Sequence, residues 1–487
     1  MLTATVNLDL YRYEIHSLIK EFYPEETVKV EVTAPETEMP APFLSVFFAP
    51  DAIRIADRRA EAAEGEDLSR KGRACKTALK HLLYEVLCSR TGRTLPWGEL
   101  IGIRPTKIAM QRLDAGDSAE EAASYMQRTY GVSRGKASLS AAIAEREKSV
   151  LSRINTKDGY SLYIGIPFCP TTCLYCSFTS FPAAAWKESI ARYLQCLRRE
   201  MEQAATLMHG RRPDTIYIGG GTPTSLSAEE LEVLLDSVAD CFPVEGLLEY
   251  TVEAGRADSI TADKLKVMKA HGVSRMSVNP QTMNDRTLQL IGRRHTAAQV
   301  IDAFHLAREA GFDNINMDII LGLPGEDETD VRHTTEEISA LGPDDLTVHS
   351  LAIKRASRLA EWIAKNGMPV MVNTDATMAI AADAAKNMGL FPYYLYRQKN
   401  MAGNFENVGY AKPGKYGIYN ILIMEEVQTV FAIGAGAVTK AVFPDGRIER
   451  CDNCKDVATY MENLDEMLAR REKLFSGIAE QEGNSKK

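Results

Sequence analysis

Six short β-rich runs alternate with helical stretches between Tyr160 and Ala352, and this pattern restricts the fold more than any other feature. The runs are YSLYIGI, DTIYIGG, LLEYTVEA, VSRMSVNP, FDNINMDII and DDLTVHSLA. The stretches between them predict helices over 187–208, 227–240, 261–271, 296–310 and 328–341. Strands separated by helices of this length indicate a parallel α/β sheet of right-handed βαβ units, here an open (β/α)6 partial barrel. A ligand of such a sheet binds beyond the carboxyl ends of the strands.

The length of 487 residues is enough for about three domains. Residues 1–154 predict an extra N-terminal α/β domain, in which Ser118 and Glu121 have the spacing of a capping box. The partial barrel is expected over 155–350. A C-terminal extension, 351–487, is expected to cover the substrate.

The C-terminal extension has weaker patterns than the predicted barrel. Residues 391–420 are rich in Tyr, Asn and Gly and predict ordered loop structure. TVFAIGAGAVTKAVF, residues 429–443, predicts a strand interrupted by glycines, and a terminal helix is expected over 455–475.

Composition and charge exclude several classes of protein. The first twenty residues lack the basic and apolar regions of a signal peptide, and no run of about eighteen or more apolar residues predicts a membrane span. Nine cysteines are too few for a disulfide scaffold, and the formal net charge of -9 argues against a nucleic-acid surface. We therefore expect a cytoplasmic protein in a reducing compartment, where clustered thiols more often bind metal.

Three of the cysteines, Cys169, Cys173 and Cys176, lie in one loop directly after the first predicted strand. A structural zinc site would need a fourth ligand, and no Cys or His occurs in the next eighteen residues. Three thiolates can instead hold three irons of a cubane cluster and leave one iron open to a substrate or cofactor. The spacing C-x3-C-x2-C therefore predicts an iron–sulfur site.

Glycines or polar residues end the next predicted strands. GGGTPT, residues 219–224, would let the backbone approach a bound molecule closely. Glu253, Gln281 and Asp318 end the following three runs, where an unpaired polar group is costly unless it faces a ligand or a partner. A loop cap is the alternative for any single one of them. Their presence at successive strand ends favours a common ligand site.

These motifs resemble those of the radical S-adenosylmethionine (radical SAM) enzymes, which have an aromatic residue before the last cysteine, here Tyr175. The resemblance is closest to the oxygen-independent coproporphyrinogen III oxidase (coproporphyrinogen dehydrogenase) family, in its HemZ-type branch with an extra N-terminal domain. It covers roughly residues 155–445. It depends on the motifs YIGIPFCPTTCLYCSF, GGGTPT, RMSVNPQTMN, LIGRRHT, NMDIILGLPGE and AIGAGAV.

The resemblance implies a radical SAM partial barrel with a [4Fe-4S] cluster on the three cysteines and S-adenosyl-L-methionine (SAM) on the open iron. The residues implied to contact this SAM are Tyr163, Gly220, Glu253 and Ala352. The residues implied to contact a second SAM, or the substrate in its place, are Tyr175, Gly221, Thr222, Gln281, Arg293 and Asp318. Arg294 takes the place of Arg293 if this motif aligns with the family pattern one residue further along.

The activity implied by the resemblance is oxidative decarboxylation of coproporphyrinogen III propionates to the vinyl groups of protoporphyrinogen IX, in haem biosynthesis. The reduced cluster would cleave SAM to methionine and a 5'-deoxyadenosyl radical, which abstracts a hydrogen atom from a propionate. Loss of carbon dioxide and one electron then leaves a vinyl group. A donor such as flavodoxin or ferredoxin would reduce the cluster. This chemistry needs no side-chain acid or base, so no catalytic residue is predicted.

Two positions depart from the family pattern. Decarboxylating members have a cysteine two residues after the third cluster cysteine, where this chain has Phe178. The haem chaperones of the family share the phenylalanine but carry an HNxxYW signature, where this chain has YNILIM with Tyr419 in place of the haem-ligating histidine. The alternative hypothesis is therefore a haem-binding or haem-transfer protein that keeps the cluster and SAM but does not decarboxylate.

Two weaker patterns remain open. Cys451 and Cys454 have C-x2-C spacing, which is half of a metal site, although the other cysteines lie singly in helical or apolar runs. YYLYRQK, residues 393–399, either stacks on a tetrapyrrole and pairs its propionates with Arg397 and Lys399, or forms a half-exposed strand with its hydroxyls in water.

Overall fold

The structure is a computed structural model that describes residues 1–24, 26–33, 42–102, 104–156, 158–176, 180–353, 357–367, 371–398 and 405–485, with side chains described to residue 477. The chain forms two compact units. The first comprises Met1–Glu145 with Arg397–Asn400, and the second comprises Arg146–Tyr396 with Met401–Lys487.

The first unit is built on a small mixed sheet. Its elements are β1 (Leu2–Val6), α1 (Arg12–Phe22), β2 (Val28–Val32), β3 (Leu44–Phe48), β4 (Ala52–Ile55), β5 (Arg58–Glu61), α2 (Arg73–Thr91), α3 (Thr106–Asp114), α4 (Ala119–Tyr130) and α5 (Arg134–Leu151), which continues into the second unit. The sheet order is β2-β1-β3-β4-β5, and apolar residues of α1 and α2 share one core with its strands. The predicted capping box of Ser118 and Glu121 begins α4.

The second unit begins with the predicted barrel. Its elements to the sixth barrel strand are β6 (Gly159–Ile166), β7 (Phe168–Cys169), β8 (Phe181–Pro182), α6 (Ala183–Trp186), α7 (Ile190–Leu207), β9 (Arg212–Gly220), α8 (Ala228–Cys241), β10 (Glu249–Val252), α9 (Ala262–Ala270), β11 (Arg275–Ser277), α10 (Asp285–Leu290), α11 (Ala297–Glu309), β12 (Ile315–Leu321), α12 (Glu328–Leu341) and β13 (Asp345–Ser350). The elements that follow are α13 (Arg358–Asn366), α14 (Asp375–Asn387), β14 (Phe391–Tyr396), β15 (Asn407–Ala411), α15 (Ile418–Glu425), β16 (Val430–Ile433), β17 (Val438–Val442), β18 (Ile448–Asp452), α16 (Val457–Glu462) and α17 (Leu464–Ser485). No helix in the described part of the chain is both long enough and apolar enough to cross a bilayer.

The six predicted strands form the predicted parallel sheet, in the order β6, β9, β10, β11, β12 and β13. Side chains alternate between the two faces of each strand. The fully buried Ile164 and Ile218 alternate with Tyr163 and Tyr217, so one face is apolar and the other carries polar groups. Capping boxes begin α8, α11 and α12 and fix where the crossover helices start.

The prediction of loop structure for 391–420 is wrong. β14 and β15 pair with each other, and β15 pairs antiparallel with β13, so this stretch extends the barrel sheet before α15 begins. The edge of β13 would otherwise leave backbone N–H and C=O groups without hydrogen bonds. A Tyr-rich segment, which favours the extended conformation, can pair with them as a strand. A long-range pairing of this kind leaves no local periodicity in the sequence.

The end of the chain also differs from the prediction. The glycine-interrupted stretch 429–443 forms two strands, β16 and β17, which turn at Gly434 (φ +98°) and Gly436 (φ +72°). β16 lies parallel to β6 and extends the sheet at its other edge. The predicted terminal helix is two helices, α16 and α17, because the chain breaks its helical path at Asn463.

The YYLYRQK segment includes part of the strand β14, as one interpretation expected, but Tyr393 and Tyr394 are buried and their hydroxyls are not in water. Tyr393 is fully buried, and its hydroxyl donates to the Asp345 carboxylate at 2.7 Å. Arg397 belongs to the first unit, where its buried guanidinium pairs with Glu21. Lys399 lies outside the described residues. The segment therefore satisfies internal polar groups, because a buried carboxylate requires partners.

Candidate cofactor and substrate site

The loop that carries the three cysteines begins directly after β6 and is fixed by neighbouring strand ends. The backbone N–H of Thr222 donates to the Phe168 carbonyl at 2.7 Å. The N–H of Leu174 donates to the Ile291 carbonyl at 2.9 Å. These bonds place the loop at the carboxyl ends of the strands, as the sequence predicted.

The three cysteines fit a [4Fe-4S] cluster by their chemistry. Cys169 and Cys173 are buried, Cys176 is half-buried, and none of the three forms a disulfide. Among the described residues, no three Cys, His, Asp or Glu side chains surround one point as a single metal ion requires. A cubane differs in this respect because each thiolate binds a different iron. Burial raises the pKa of the Cys169 thiol to about 11, so the charge of the irons is needed to keep it as thiolate.

The glycine run at the end of β9 touches both the cysteine loop and Glu253, directly after the next strand. A Cβ atom at Gly221 would lie 2.7 Å from the Phe168 carbonyl oxygen and 3.0 Å from the Cys169 sulfur. A Cβ atom at Gly219 would lie 2.7 Å from the Glu253 carboxylate. At Gly221 the clash is with backbone, so only glycine fits there, and its close approach packs the strand end against the predicted cluster ligand Cys169.

Three of the residues predicted to contact the cluster-bound SAM, Tyr163, Gly220 and Glu253, lie together at the end of β9. The Glu253 carboxylate accepts a hydrogen bond from the Gly220 backbone, and the Tyr163 hydroxyl lies 3.3 Å from where a Cβ at Gly220 would be. Burial, together with repulsion from Asp318, raises the pKa of Glu253 to about 7. Ala352 lies two residues beyond β13, at the same edge of the sheet.

Two members of the second predicted set are joined directly. The Arg293 guanidinium donates to the Tyr175 hydroxyl at 3.2 Å and to the Asn279 carbonyl. Arg293 is 7% exposed, whereas the alternative residue Arg294 points to solvent. The geometry therefore favours Arg293 as the residue of this pair that faces the site.

Gln281 and Asp318 are also neighbours, although the predicted strand ends are wrong for both: Asp318 lies within β12, and Gln281 lies four residues beyond β11. The Gln281 N–H donates to the Asp318 carbonyl at 2.9 Å. The Asp318 carboxylate accepts from the Asn316 amide at 2.7 Å and lies 3.8 Å from His349 Nε2. Although burial opposes ionisation, the nearby His349 imidazole and the hydrogen bond from Asn316 hold the pKa of Asp318 below its usual value. An ionised acceptor thus faces the same region as Glu253.

An aromatic stack inside the barrel escaped the sequence analysis. The rings of Tyr217 and Tyr419 are 4.5 Å apart and nearly parallel, and Tyr163 lies 6.2 Å from Tyr217. The matching sequences YIGI and YIGG indicate that Tyr163 and Tyr217 are neighbours on paired strands. No local signal marks Tyr419, which reaches the stack from the start of α15 and is 5% exposed.

The structure describes the C-x2-C pair, Cys451 and Cys454, but does not describe Phe178. Phe178 lies outside the described residues, so its departure from the family pattern stays a feature of the sequence. Cys451 is buried on β18, and Cys454 is half-buried just after it. In the described part of the chain no further metal-ligating side chain joins this pair.

Comparisons with known proteins place this geometry in a family. The Radical SAM superfamily model matches residues 163–338. The chain is 41% identical over 415 residues to the oxygen-independent coproporphyrinogen-III oxidase-like protein HemZ of Bacillus subtilis (strain 168), covering 83% of each protein. It is 40% identical over 197 residues to the heme chaperone HemW of the same organism, covering 40% of this chain and 51% of that protein.

Two further relatives complete the comparison. The heme chaperone HemW of Escherichia coli (strain K12) is 30% identical over 304 residues, covering 62% of this chain and 75% of that protein. The solved structure of coproporphyrinogen III oxidase (HemN) from Escherichia coli, a radical SAM enzyme, matches with a TM-score of 0.51 and 22% identity, covering 66% of this chain and 72% of that one. This last likeness shows a shared fold. The chain thus belongs to the oxygen-independent coproporphyrinogen III oxidase-like family of the radical SAM superfamily, and its cofactors are a [4Fe-4S] cluster and SAM.

Proposed function

We propose that this chain decarboxylates coproporphyrinogen III without oxygen and converts its propionates to the vinyl groups of protoporphyrinogen IX. Two observations support the proposal: Arg293 donates to Tyr175 of the cysteine loop, and the backbone of Gln281 is bonded to that of Asp318 on the neighbouring strand. Each propionate, –CH2–CH2–COO⁻, gives –CH=CH2, carbon dioxide, one hydrogen atom and one electron. When bound, the cluster and SAM supply the radical that accepts the hydrogen atom. A flavodoxin- or ferredoxin-type donor would supply the electron that reduces the cluster, and a separate one-electron acceptor would take the electron that the substrate releases.

The chain's own residues have binding and orienting roles in this proposal. Tyr163, Gly220 and Glu253 would hold the SAM that the cluster binds. Gln281 and Asp318 would orient the reacting propionate, because hydrogen abstraction requires a near-attack geometry. These residues do not need to transfer a proton.

An apolar surface beside Tyr175 supports a large, flat substrate. Tyr175 packs against a cluster that includes Leu174 and Leu359, with the half-buried Ile353 and Trp362 next to them. We propose that this surface contacts the macrocycle. The exposed Arg358 begins α13, the helix that also carries Leu359 and Trp362. Its positive charge would attract propionates. In this arrangement, part of the region 351–487 covers the substrate.

A second candidate is haem binding or haem transfer without decarboxylation. The similarity to HemW and the presence of Phe178 favour it. The position of Tyr419 weighs against it, because its phenol is buried in the stack with Tyr163 and Tyr217 and does not face a surface-bound haem. We therefore prefer the decarboxylase.

The test is an anaerobic assay of reconstituted protein with coproporphyrinogen III, dithionite and SAM, in which the tetrapyrrole products are identified by mass. Mono- and divinyl products that require SAM support the proposal. A parallel titration with haem measures stoichiometric binding. Tight haem binding together with no vinyl product under strong reductant would contradict the decarboxylase and support the second candidate.

A further inference from the structure

A buried arginine holds the turn between Cys169 and Cys173. Arg256 Nη1 donates to the Thr171 hydroxyl at 2.7 Å and to the Thr171 carbonyl at 3.1 Å. Arg256 is 3% exposed and lies three residues after Glu253, 85 positions from Thr171. A guanidinium that makes two bonds to one residue fixes both its position and its orientation.

In the part of the chain that the structure describes, Asp258 is the carboxylate that pairs with Arg256. Asp258 accepts from Arg256 Nε at 2.9 Å and from Nη2 at 2.6 Å. Behind this pair, His295 Nδ1 lies 3.7 Å from the Asp258 carboxylate, which is longer than a hydrogen bond. Burial lowers the pKa of His295, and the charge of Arg293 lowers it further, so the ring is neutral near pH 7.

Of the two charged groups, Arg256 lies next to the cysteine loop and Asp258 lies behind Arg256. Arg256 contacts the cysteine loop itself, through Thr171 between Cys169 and Cys173. Asp258 contacts the opposite side of the guanidinium and touches Arg256 rather than the loop. A cation near an iron–sulfur cluster favours the reduced state, and an anion favours the oxidised state.

We propose that Arg256 and Asp258 are positioning residues of the iron–sulfur cluster, which fix the Cys169–Cys173 turn and set the reduction potential through their balanced charges. The Asp258 carboxylate reduces the effect of the Arg256 charge on the reduction potential, and it orients the Arg256 guanidinium. The inference requires the cluster but no particular substrate, so it remains testable if the decarboxylase proposal fails.

The experiment is a potentiometric titration of anaerobically reconstituted protein with dithionite, without any tetrapyrrole, in which the reduced cluster is measured by electron paramagnetic resonance. Arg256→Met leaves the Asp258 carboxylate unbalanced and should lower the potential. Asp258→Asn leaves the Arg256 cation unbalanced and should raise it. We expect the ratio of reduced to oxidised cluster at a fixed potential to change about tenfold in each direction, which is 59 mV for a one-electron couple.

Two further sets of variants make the result decisive. Arg256→Lys keeps the charge but loses the forked bonds, so its potential should stay close to that of the wild type while its iron content falls. The exposed pair Arg198 and Asp240 is the matched control, and Arg198→Met and Asp240→Asn should change neither quantity. Shifts in the same direction for Arg256→Met and Asp258→Asn would overturn the proposal. If Arg256→Met assembles no cluster, an unchanged potential in Asp258→Asn would overturn it equally.

Discussion

The backbone N–H of Gln281 donates to the carbonyl of Asp318, and the N–H of Ile320 donates back to the carbonyl of Gln281, each at 2.9 Å. Gln281 adopts a φ of +70° to form this bridge. A left-handed conformation costs a residue with a Cβ atom about 1–2 kcal/mol. Strain of this kind is concentrated at functional sites, which agrees with the proposed substrate contacts of both residues.

Substitution of Gln281 should separate backbone strain from side-chain function. We expect Gln281→Gly to be more stable than Gln281→Ala by about 1 kcal/mol, because glycine adopts positive φ without a steric cost. Both variants should decarboxylate slowly, since both lose the amide. Thermal unfolding and the rate of vinyl formation measure the two effects. Wild-type turnover in Gln281→Gly would refute the proposed contact.

The Asp318 side chain should matter for turnover and not for cluster assembly. Asp318→Asn keeps the size of the side chain but removes the charge, and we expect unchanged iron content with a rate of decarboxylation about 100-fold lower, because the reactant is misplaced. Asp263→Asn, at an exposed position of α9, is the control and should behave as the wild type. Loss of iron in Asp318→Asn would instead indicate a structural role.

The cysteine assignment has a direct spectroscopic test. Cys169→Ala, Cys173→Ala or Cys176→Ala should each abolish the iron–sulfur absorbance and SAM cleavage, because the three thiolates are the predicted cluster ligands. The double variant Cys451→Ser with Cys454→Ser should retain both. A brown Cys173→Ala protein with normal absorbance is the result that this assignment does not allow.

Gly221 should be needed for cluster assembly because of its close contacts. In Gly221→Ala the new methyl group would clash with the Phe168 carbonyl and crowd the Cys169 sulfur. We expect a protein that folds but binds little iron, as measured by metal analysis and circular dichroism. Gly135→Ala is the control, because a Cβ atom there meets nothing within 4 Å. Equal iron content in both variants would contradict the predicted crowding.

The raised pKa of Glu253 predicts a pH dependence of stability in the iron-free protein. The pKa rises from 4.5 to about 7 on folding, so the folded state binds more protons within this window. The contribution of Glu253 to stability should therefore be complete below pH 4.5 and be lost as the pH rises through 7, by at most about 3 kcal/mol. Thermal unfolding of wild type and Glu253→Gln between pH 4.5 and 8 tests this. Parallel pH profiles for the two proteins would show that Glu253 is not responsible.

The local sequence was sufficient for the barrel and for the cluster loop. Each βαβ unit is encoded within a few tens of residues, by an apolar strand, a cap and an amphipathic helix, so the six strands and their order followed from the pattern. The capping box at Ser118 was likewise predictable because its two residues are three positions apart. The spacing of Cys169, Cys173 and Cys176 indicated their chemistry for the same reason.

The tertiary structure alone decided which distant residues meet. The strands β14 and β15 form because they complete the edge of β13, and Tyr419 joins the stack of Tyr163 and Tyr217 from more than 200 positions away. The bond between Arg256 and Thr171 spans 85 positions and leaves no periodic trace. Contacts of this kind depend on how completed elements pack, and the local preferences of the chain do not encode them individually.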